Sequence, residues 1–353
     1  MEGEVMRNFF VVDSEDIKFI WYTIQQMQVI FHPELAPDGI FDFTKFFNTK
    51  RNKSVVLFID RNILSGFLQL CEKGSLQSKN ETQIIGLIMA WAEMNNITIS
   101  AGLAIQEGAT QVKSQEKGLK ELQKFREAYN AYSGMNWLQI ARKQKTDVLP
   151  VKFSGTTARN ITVNYSDGCD HYYMLVASML HVVNLYRKRN MKPVDKIMEF
   201  LRWTYDNLLL CQYMFAYAIL LFTEQKNIKA PKGANTNDIE RIVSGCKNQA
   251  WDISYLSNWS IFYRHSEEYK EEFLFATNDV LLKRIFINTH GPNGINGLLY
   301  ETLSKKDYLK IYKYIEECSK KRNNINFGEE PYIYVENLIG KEKEDLINVL
   351  RNV

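Results

Sequence analysis

The sequence lacks the features that mark several classes of protein. Its five cysteines are scattered and include no CxxC pair, which favours reduced thiols over a disulfide framework or a zinc site. The net charge is only +3, so no general basic field indicates nucleic acid, and any contact with nucleic acid would have to be local. The sequence contains no internal repeat, and no P-loop or GxGxxG motif indicates a nucleotide-driven activity.

Long apolar runs are also absent. The longest one, residues 208–222, falls short of the roughly 20 residues of a membrane-spanning helix and contains Gln212 and two tyrosines. We therefore predict a buried core helix there and no contact with a membrane. The sequence begins with MEGE, which is acidic where a secretory signal would be basic, so we expect a cytoplasmic protein.

What the sequence does contain is an alternation of apolar runs and helical patterns. The 353 residues suggest about two domains. A short apolar segment, FFVV at 9–12, precedes a helix-start signal. The run VVLFI at 55–59 is apolar at every position, which is typical of a strand buried on both faces. The β-branched run ITIS at 97–100 and the short apolar run FLFA at 273–276 predict two further strands. The run YIYV at 332–335 predicts a terminal strand. Strands that alternate with helices in this way predict an α/β fold with a parallel sheet.

The alternation stops for more than a hundred residues, where the periodicity is mostly helical. Helices are predicted over 114–132, 170–189 and 194–225, and residues 226–237 have the Pro, Gly and Asn content of a linker. The predicted organisation has three parts: an N-terminal extension that packs on the core, 1–50; an α/β domain in two pieces, 51–111 and 238–353; and a mostly helical insertion, 112–237.

Four acidic residues occupy unusual places in this pattern. Asp60 ends the first buried strand, Glu107 lies on the helix after the second, Asp252 lies in an apolar helical stretch, and Asp279 follows the strand FLFA. Ligands bind beyond the carboxyl ends of parallel strands, so we expect these side chains to converge there. Clustered carboxylates repel one another unless a cation intervenes, and hard oxygen ligands suit Mg²⁺ or Mn²⁺.

The segments around these acids also resemble the motifs of PIN-domain nucleases. FIDRNIL at 58–64 is similar to the opening motif, and ISAGLAIQE at 99–107 to the second. Asp252 with its apolar neighbours resembles the third acid of the family, and LFATND at 274–279 resembles the fourth. YIYV would be the closing strand. The resemblance implies a PIN-like (Rossmann-like) domain, and the long interval between Glu107 and Asp252 then requires the helical insertion.

The resemblance further implies an activity and roles for the residues. The chain would be a metal-dependent endonuclease, most often of RNA, that uses a metal-activated water and Mg²⁺ or Mn²⁺ as cofactor. The metal ligands and catalytic acids would be Asp60, Glu107, Asp252 and Asp279. The supporting residues would be Asn62, Thr277 and Asn278.

Clusters of basic residues in the predicted insertion suggest a groove for nucleic acid. The candidates lie near tyrosines and tryptophans that would stack on bases; they are Arg142, Lys143, Arg187, Lys188 and Arg189. Cations at the end of a helix that they stabilise are the alternative interpretation.

Other interpretations stay open from the sequence alone. An aspartate directly after a strand is commonly a helix cap. A PIN fold without activity would serve as a scaffold that binds a partner through its helical insertion, and a regulatory protein or a second copy of the chain is a candidate partner. Arg284 and His290 have the spacing of the metal-independent HEPN ribonucleases. The histidines show no metal-ligand spacing and are expected to be structural or exposed.

Overall fold

A computed structural model of the chain describes residues 12–158, 161–321 and 330–351. Contacts between residues divide the chain into two compact units. Unit 1 consists of Met1–Asp167 and Phe262–Asp279, and unit 2 consists of Gly168–Ile261 and Val280–Val353.

Helices make up most of the described chain, and short strands lie between some of them. In chain order the elements are α1 (Ser14–Met27), β1 (Ile30–Phe31), α2 (Phe43–Lys50), β2 (Ser54–Ile59), α3 (Arg61–Lys73), α4 (Lys79–Met94), β3 (Thr98–Ser100), α5 (Gly102–Gln111), α6 (Gln115–Tyr129), α7 (Gly134–Ala141), α8 (Asp170–Arg187), α9 (Pro193–Asn207), α10 (Gln212–Phe222), α11 (Ile239–Arg264), α12 (Ser266–Tyr269), β4 (Glu271–Ala276), α13 (Val280–His290), α14 (Gly294–Thr302), α15 (Lys305–Lys321) and α16 (Pro331–Arg351).

Unit 1 contains the sheet, whose strands lie in the order β1-β4-β2-β3. β2 is parallel to both of its neighbours: Leu57 is opposite Leu274 of β4 and Ile99 of β3. β1 runs antiparallel to β4, with Ile30 opposite Ala276. The last three residues of β2 and the last five of β4 are buried, as expected for central strands covered by helices on both faces. The fold is therefore α/β with a small mixed sheet.

The core of unit 1 is rich in aromatic side chains. Trp91 of α4 is fully buried and packs against Phe41 and Phe46, with ring centroids 5.4 and 5.3 Å away. α4 is buried along almost its whole length and lies against α7. Large aromatic surfaces removed from water supply much of the driving force for folding, so this cluster anchors the helices that cover the sheet.

In the described residues of unit 2, the secondary-structure elements are all helices. α8 packs against α16, and α10 is buried from Tyr213 to Phe222. A helix that is apolar on all sides lies in the interior of a bundle, which confirms the core helix predicted within 208–222. In the described part of the chain, none of the helices combines the length and the apolar character needed to cross a membrane.

Several sequence predictions are confirmed at the level of single elements. Strands form at 54–59, 98–100 and 271–276, close to the predicted runs. The helix start at residue 13 is confirmed because the Asp13 carboxylate accepts a hydrogen bond from the Asp16 N–H at 2.8 Å and so caps α1. The segment 226–237 contains no helix or strand, as expected for a linker.

Other predictions are wrong. YIYV is not a closing strand, because residues 332–335 lie in the first turns of α16. The sheet is not wholly parallel, since β1 joins it antiparallel and was too short to predict. The predicted helix 194–225 is two helices, α9 and α10, and the predicted helix 114–132 ends at Tyr129. Most of the segment FFVV lies outside the described residues.

The compact units also divide the chain at places other than the predicted domain boundaries. Residues 112–167, expected in the insertion, belong to unit 1. Most of 238–353, expected in the α/β domain, belongs to unit 2, and unit 1 keeps only 262–279 of it.

Candidate functional site

The site begins where β2 ends, at Asp60. This residue links strand to helix: its N–H donates to the Ala276 carbonyl at 3.2 Å, and its Oδ1 accepts the Ile63 N–H at 2.8 Å as the N-cap of α3. Asp60 is only 1% exposed. An aspartate in this place satisfies an otherwise orphaned N–H of the helix. The predicted cap role of Asp60 is therefore confirmed.

Thr277, the first residue after β4, holds the other carboxylate oxygen. It is completely buried, and its hydroxyl donates to Asp60 Oδ2 at 2.5 Å. The same hydroxyl oxygen accepts the Asp279 N–H at 2.9 Å, and the Thr277 N–H donates to the Val29 carbonyl at 3.0 Å. Because β2 and β4 are parallel neighbours, their carboxyl ends meet, and one hydroxyl fixes both segments that follow them.

The electrostatics of Asp60 place two further carboxylates near it. The pKa of the Asp60 carboxyl is raised to about 6, first because burial disfavours its charged form and also because the charges of Asp279 and Glu107 repel it. Hydrogen bonds from Thr277 and from the Ile63 N–H act in the opposite direction. Three of the four predicted acids therefore interact at one edge of the sheet.

Glu107 reaches this edge from α5, the helix that follows β3. Its side chain is 7% exposed, and its Oε1 accepts a hydrogen bond from Gln111 Nε2 at 3.0 Å. Asp279 is half-buried and immediately precedes α13. Each acid thus follows a different parallel strand, which is the arrangement expected of a ligand site in an open sheet.

Arg61, beside Asp60 in the sequence, has a role that the sequence did not reveal. Its guanidinium forms a two-pronged ion pair with Glu121 of α6, at 2.7 and 2.9 Å, and donates to the Ala104 carbonyl of α5 at 3.1 Å. A Cβ on Gly108 would lie 2.9 Å from the guanidinium carbon, so a larger residue there would require the Arg61 side chain to shift. Arg61 therefore positions α5, and with it Glu107.

Asp252 belongs to unit 2 and lies in the middle of α11. It is half-buried, and its Oδ2 accepts a hydrogen bond from Gln249 Nε2 at 2.8 Å. That Asp252 joins the other three acids stays a prediction. Asn62 and Asn278 lie next to the site in unit 1, and both side chains are exposed.

The carboxylates at this edge of the sheet are the candidate ligands for a divalent ion. Among the described residues, no three or more His, Cys, Asp or Glu side chains are grouped closely enough to hold a metal. The carboxylates have the chemistry that Mg²⁺ or Mn²⁺ prefers, and Mg²⁺ usually keeps several waters and takes only one or two carboxylates together with substrate phosphates. Asp60 with one neighbouring carboxylate would be a donor set of that smaller kind. A cage of four protein ligands, as predicted, is not assembled within unit 1.

The predicted nucleic-acid residues divide into two kinds. Arg142 is an ion pair of Asp16 at 2.5 Å and lies over the Phe19 ring, and Arg187 donates to main-chain carbonyls of the 226–237 linker. Both arginines therefore tie elements of their own unit together. Three side chains are exposed: Lys143, Lys188 and Arg189.

The HEPN-like pair has intramolecular partners as well. Arg284 donates to the Lys226 carbonyl. His290, the last residue of α13, has its Nε2 2.8 Å from the hydroxyl of Tyr213 in α10. These contacts account for both side chains as structural groups of unit 2.

A second buried charged group in unit 1 was not found from the sequence. His32 Nε2 lies 2.7 Å from Glu272 Oε1, and Lys53 Nζ lies 3.2 Å from Glu272 Oε2. Burial would raise the pKa of Glu272, but the hydrogen bonds from His32 and Lys53 lower it below its ordinary value. Since His32 Nδ1 accepts two main-chain N–H groups, at 3.2 and 3.1 Å, the ring is fixed and serves the fold.

Comparison with known proteins adds no family assignment. No family model, curated protein or solved structure matches the chain. The geometry of the strand ends is therefore what supports any statement about function.

Proposed function

We propose that unit 1 is a PIN-like, metal-dependent nuclease that hydrolyses phosphodiester bonds, with RNA as its substrate. One observation carries the proposal: a buried carboxylate, Asp60, is held by Thr277 at the ends of two parallel strands while Asp279 and Glu107 repel it. Burying like charges together lowers stability unless a cation is recruited. The arrangement lowers the free energy of unfolding. Such a loss of stability is typical of residues that serve a chemical reaction.

The chain's own groups prepare the carboxylate. Asp60 Oδ1 accepts one hydrogen bond from the α3 N-terminus and Oδ2 accepts one from Thr277. A carboxylate oxygen has two lone pairs, so each oxygen keeps one for a further ligand. Both oxygens are fixed in direction, because one donor belongs to a helix end and the other to a buried hydroxyl. The ion would be held by Asp60 with Asp279 or Glu107.

A bound Mg²⁺ or Mn²⁺ would activate water and stabilise charge on the departing oxygen of a phosphodiester. Thr277 would keep the Asp60 carboxylate oriented during the reaction, and Arg61, through α5, would keep Glu107 within reach. Asn62 and Asn278, exposed beside the acids, would contact the phosphate or sugar of the substrate.

The first experiment measures cleavage of end-labelled single-stranded and structured RNA, with Mg²⁺, Mn²⁺ or EDTA. We expect cleavage with a divalent ion and none in EDTA. The variants D60N, E107Q and D279N should each abolish cleavage, because each removes a negative charge needed near the ion. D252N tests whether Asp252 is needed for cleavage at all. D13N, at the exposed N-cap of α1, makes the same chemical change away from the site and should cleave normally.

The second experiment measures thermal unfolding with and without Mn²⁺. At a free ion concentration of 100 times Kd, binding to the folded state alone stabilises by about 2.7 kcal/mol. Wild type and D13N should gain this stability, and D60N should not. The scaffold interpretation would replace the enzymatic one if Mn²⁺ left the wild-type unfolding temperature unchanged and no RNA or DNA in a broad panel were cleaved.

A further inference from the structure

Unit 2 contains a large cavity that the proposed nuclease site does not use. Its volume is about 1470 Å³, above the roughly 300–1,000 Å³ of an ordinary ligand pocket. The walls come from the end of α8, the turn that follows it, α9, α10 and α16. All the residues that line it belong to unit 2.

One part of the wall is positively charged. Arg187, Lys188, Arg189 and Lys196 line the cavity. Burial lowers the pKa of Arg187, and the charge of Arg189 lowers it further. Burial also lowers the pKa of Lys196, although Glu224 acts in the opposite direction. Arg187 and Arg189 therefore destabilise each other where they meet, and an anion would relieve that repulsion.

The hydrogen-bond acceptors of Arg187 and Lys196 are uncharged groups, although the charge of Glu224 also acts on Lys196. Arg187 donates to the carbonyls of Ala234 and Thr236 at 2.7 and 2.8 Å, and Lys196 donates to the Tyr186 carbonyl at 3.2 Å. Arg187 Nε is buried and has no hydrogen-bond partner among the described residues. The carbonyl groups orient the Arg187 side chain but supply no countercharge to it, so a bound anion would supply one.

The acids Glu224, Glu342 and Asp345 also line the cavity, and Glu342 is hydrogen-bonded within the protein. Glu342 is 1% exposed and accepts hydrogen bonds from three side chains: His181 at 3.0 Å, Asn184 at 2.9 Å and Trp203 at 2.7 Å. The His181 ring stacks on Trp203, with centroids 4.4 Å apart. This network fixes the positions of His181 and Asn184 on the cavity wall.

The same two residues each leave one polar atom unused. His181 Nε2 and Asn184 Oδ1 are buried and have no hydrogen-bond partner in the described chain. Because His181 Nδ1 faces a carboxylate oxygen, it carries a proton, and Nε2 is the ring nitrogen left for a ligand. Asn184 Oδ1 is an acceptor. A buried polar atom without a hydrogen-bond partner is costly, so both atoms favour a ligand that carries hydroxyl or amino groups.

We propose that this cavity of unit 2 binds a nucleotide, with its phosphate at Arg187, Lys188 and Arg189 and its sugar or base at His181 and Asn184. Amide side chains, Asn190, Asn235 and Asn348, supply further donors and acceptors around the cavity. The aromatic rings of Tyr186 and Phe222 also line it and offer apolar surface to a base. The volume accommodates a nucleotide together with ordered water. This site is independent of the acids in unit 1.

The test is calorimetric titration of the full chain, in EDTA, with the four common ribonucleoside monophosphates, the corresponding nucleosides and inorganic phosphate. EDTA prevents any metal-dependent cleavage from interfering. At least one monophosphate should bind, its nucleoside should bind about tenfold more weakly or worse, and affinity should fall as salt rises. Phosphate alone should bind weakly, since it reaches neither His181 nor Asn184.

Two exposed positions give variants that should fold normally. R189E reverses a charge on the wall and should weaken monophosphate binding by about tenfold or more. N348W narrows the cavity from α16 and should reduce binding of every nucleotide. K306E, on the exposed start of α15 and away from the lining residues, is the matched charge-reversal control and should leave affinity unchanged.

Three results would each overturn the proposal. The first is that no monophosphate binds to the wild type. The second is that K306E weakens binding as much as R189E does, which would mean general attraction to a basic surface. The third is that single-stranded RNA binds at Arg189 while mononucleotides do not, which would make this wall part of a polymer-binding surface instead.

Discussion

Replacing Asp60 with asparagine tests the electrostatic account of the site most directly. The variant D60N keeps an oxygen that accepts the Ile63 N–H, and so it keeps the cap of α3. It removes the negative charge that burial and two neighbouring carboxylates oppose. The pKa of Asp60 is about 6 in the folded protein and 3.8 in the absence of these effects, and at 1.36 kcal/mol per pKa unit this amounts to about 3 kcal/mol.

The pH dependence follows from where the protons bind. Between about pH 4 and pH 6 the folded chain holds more protons at Asp60 than the unfolded chain does, so stability falls as pH rises through this range. D60N has no such group. In EDTA, the free energy of unfolding of D60N should differ from that of the wild type near pH 4 only by a constant offset. Above pH 6, this difference should have grown by about 3 kcal/mol in favour of D60N.

The assay is urea unfolding of both proteins, followed by circular dichroism, at several values from about pH 4 to about pH 8. D13N, at an exposed N-cap, controls for the chemical change itself. Any difference in hydrogen bonding between the two proteins contributes equally at every pH. The part of the stability difference that changes with pH therefore measures the effect of the Asp60 charge. A stability difference between D60N and wild type that stayed constant across the range would refute the reasoning.

Three further changes have defined outcomes. T277V removes the donor to Asp60 while keeping the shape of the side chain, so unfolding free energy should fall by about 1–3 kcal/mol. RNA cleavage should fall about 10–100-fold in T277V, and T277S should restore both quantities. R61K keeps the charge but loses one arm of the ion pair, and thermal unfolding should show a loss of about 1–3 kcal/mol; an unchanged unfolding temperature would contradict the positioning role. Glu342, whose pKa burial would raise, has its pKa lowered by its three donors, so E342Q should be clearly less stable than wild type at neutral pH. In urea titrations that difference should shrink as pH falls below 4.5, because the wild type then loses the same charge.

The central strands could be predicted because their physics is local. A run such as 55–59, apolar at every position, has no exposed face, and in this size of protein it is buried most simply between layers of helix. The residue after such a strand is also predictable, since it must turn the chain and begin a helix. Asp60 therefore follows from sequence alone, and so does its capping bond.

The terminal run YIYV shows why propensity alone was misleading. Its aromatic and β-branched residues favour a strand, but Pro331 begins a helix and the buried residues downstream recur at helical spacing. Val335, Leu338 and Ile339 lie on one face of α16, which packs against α8. The periodicity over 335–346 carried the decisive signal, and a window of four residues was too short to contain it.

The side-chain partners could not be predicted, because they depend on which elements meet. Arg142 and Arg187 belong to basic clusters in the sequence, yet their guanidinium groups bind Asp16 and the carbonyls of the linker. The bond from Thr277 to Asp60 joins residues more than two hundred positions apart. That contact depends on the pairing of β2 with β4. The sequences of the two strands do not specify which strands become neighbours in the sheet.

The chain provides its own comparison for the meaning of Asp60. Asp13, Asp42 and Asp60 cap three helices of unit 1 by the same bond, to the N–H three residues on, at 2.8, 3.0 and 2.8 Å. Asp13 is exposed and Asp42 partly so, whereas Asp60 is 1% exposed. A cap works equally well at the surface, so capping explains neither the burial of Asp60 nor the bond from Thr277 to its second oxygen. Burial beside Asp279 and Glu107 makes this cap less stable than an exposed one, and a residue that served only the helix would lose nothing by becoming asparagine. The presence of a charged group where a neutral one would stabilise the fold is what favours a chemical role for Asp60.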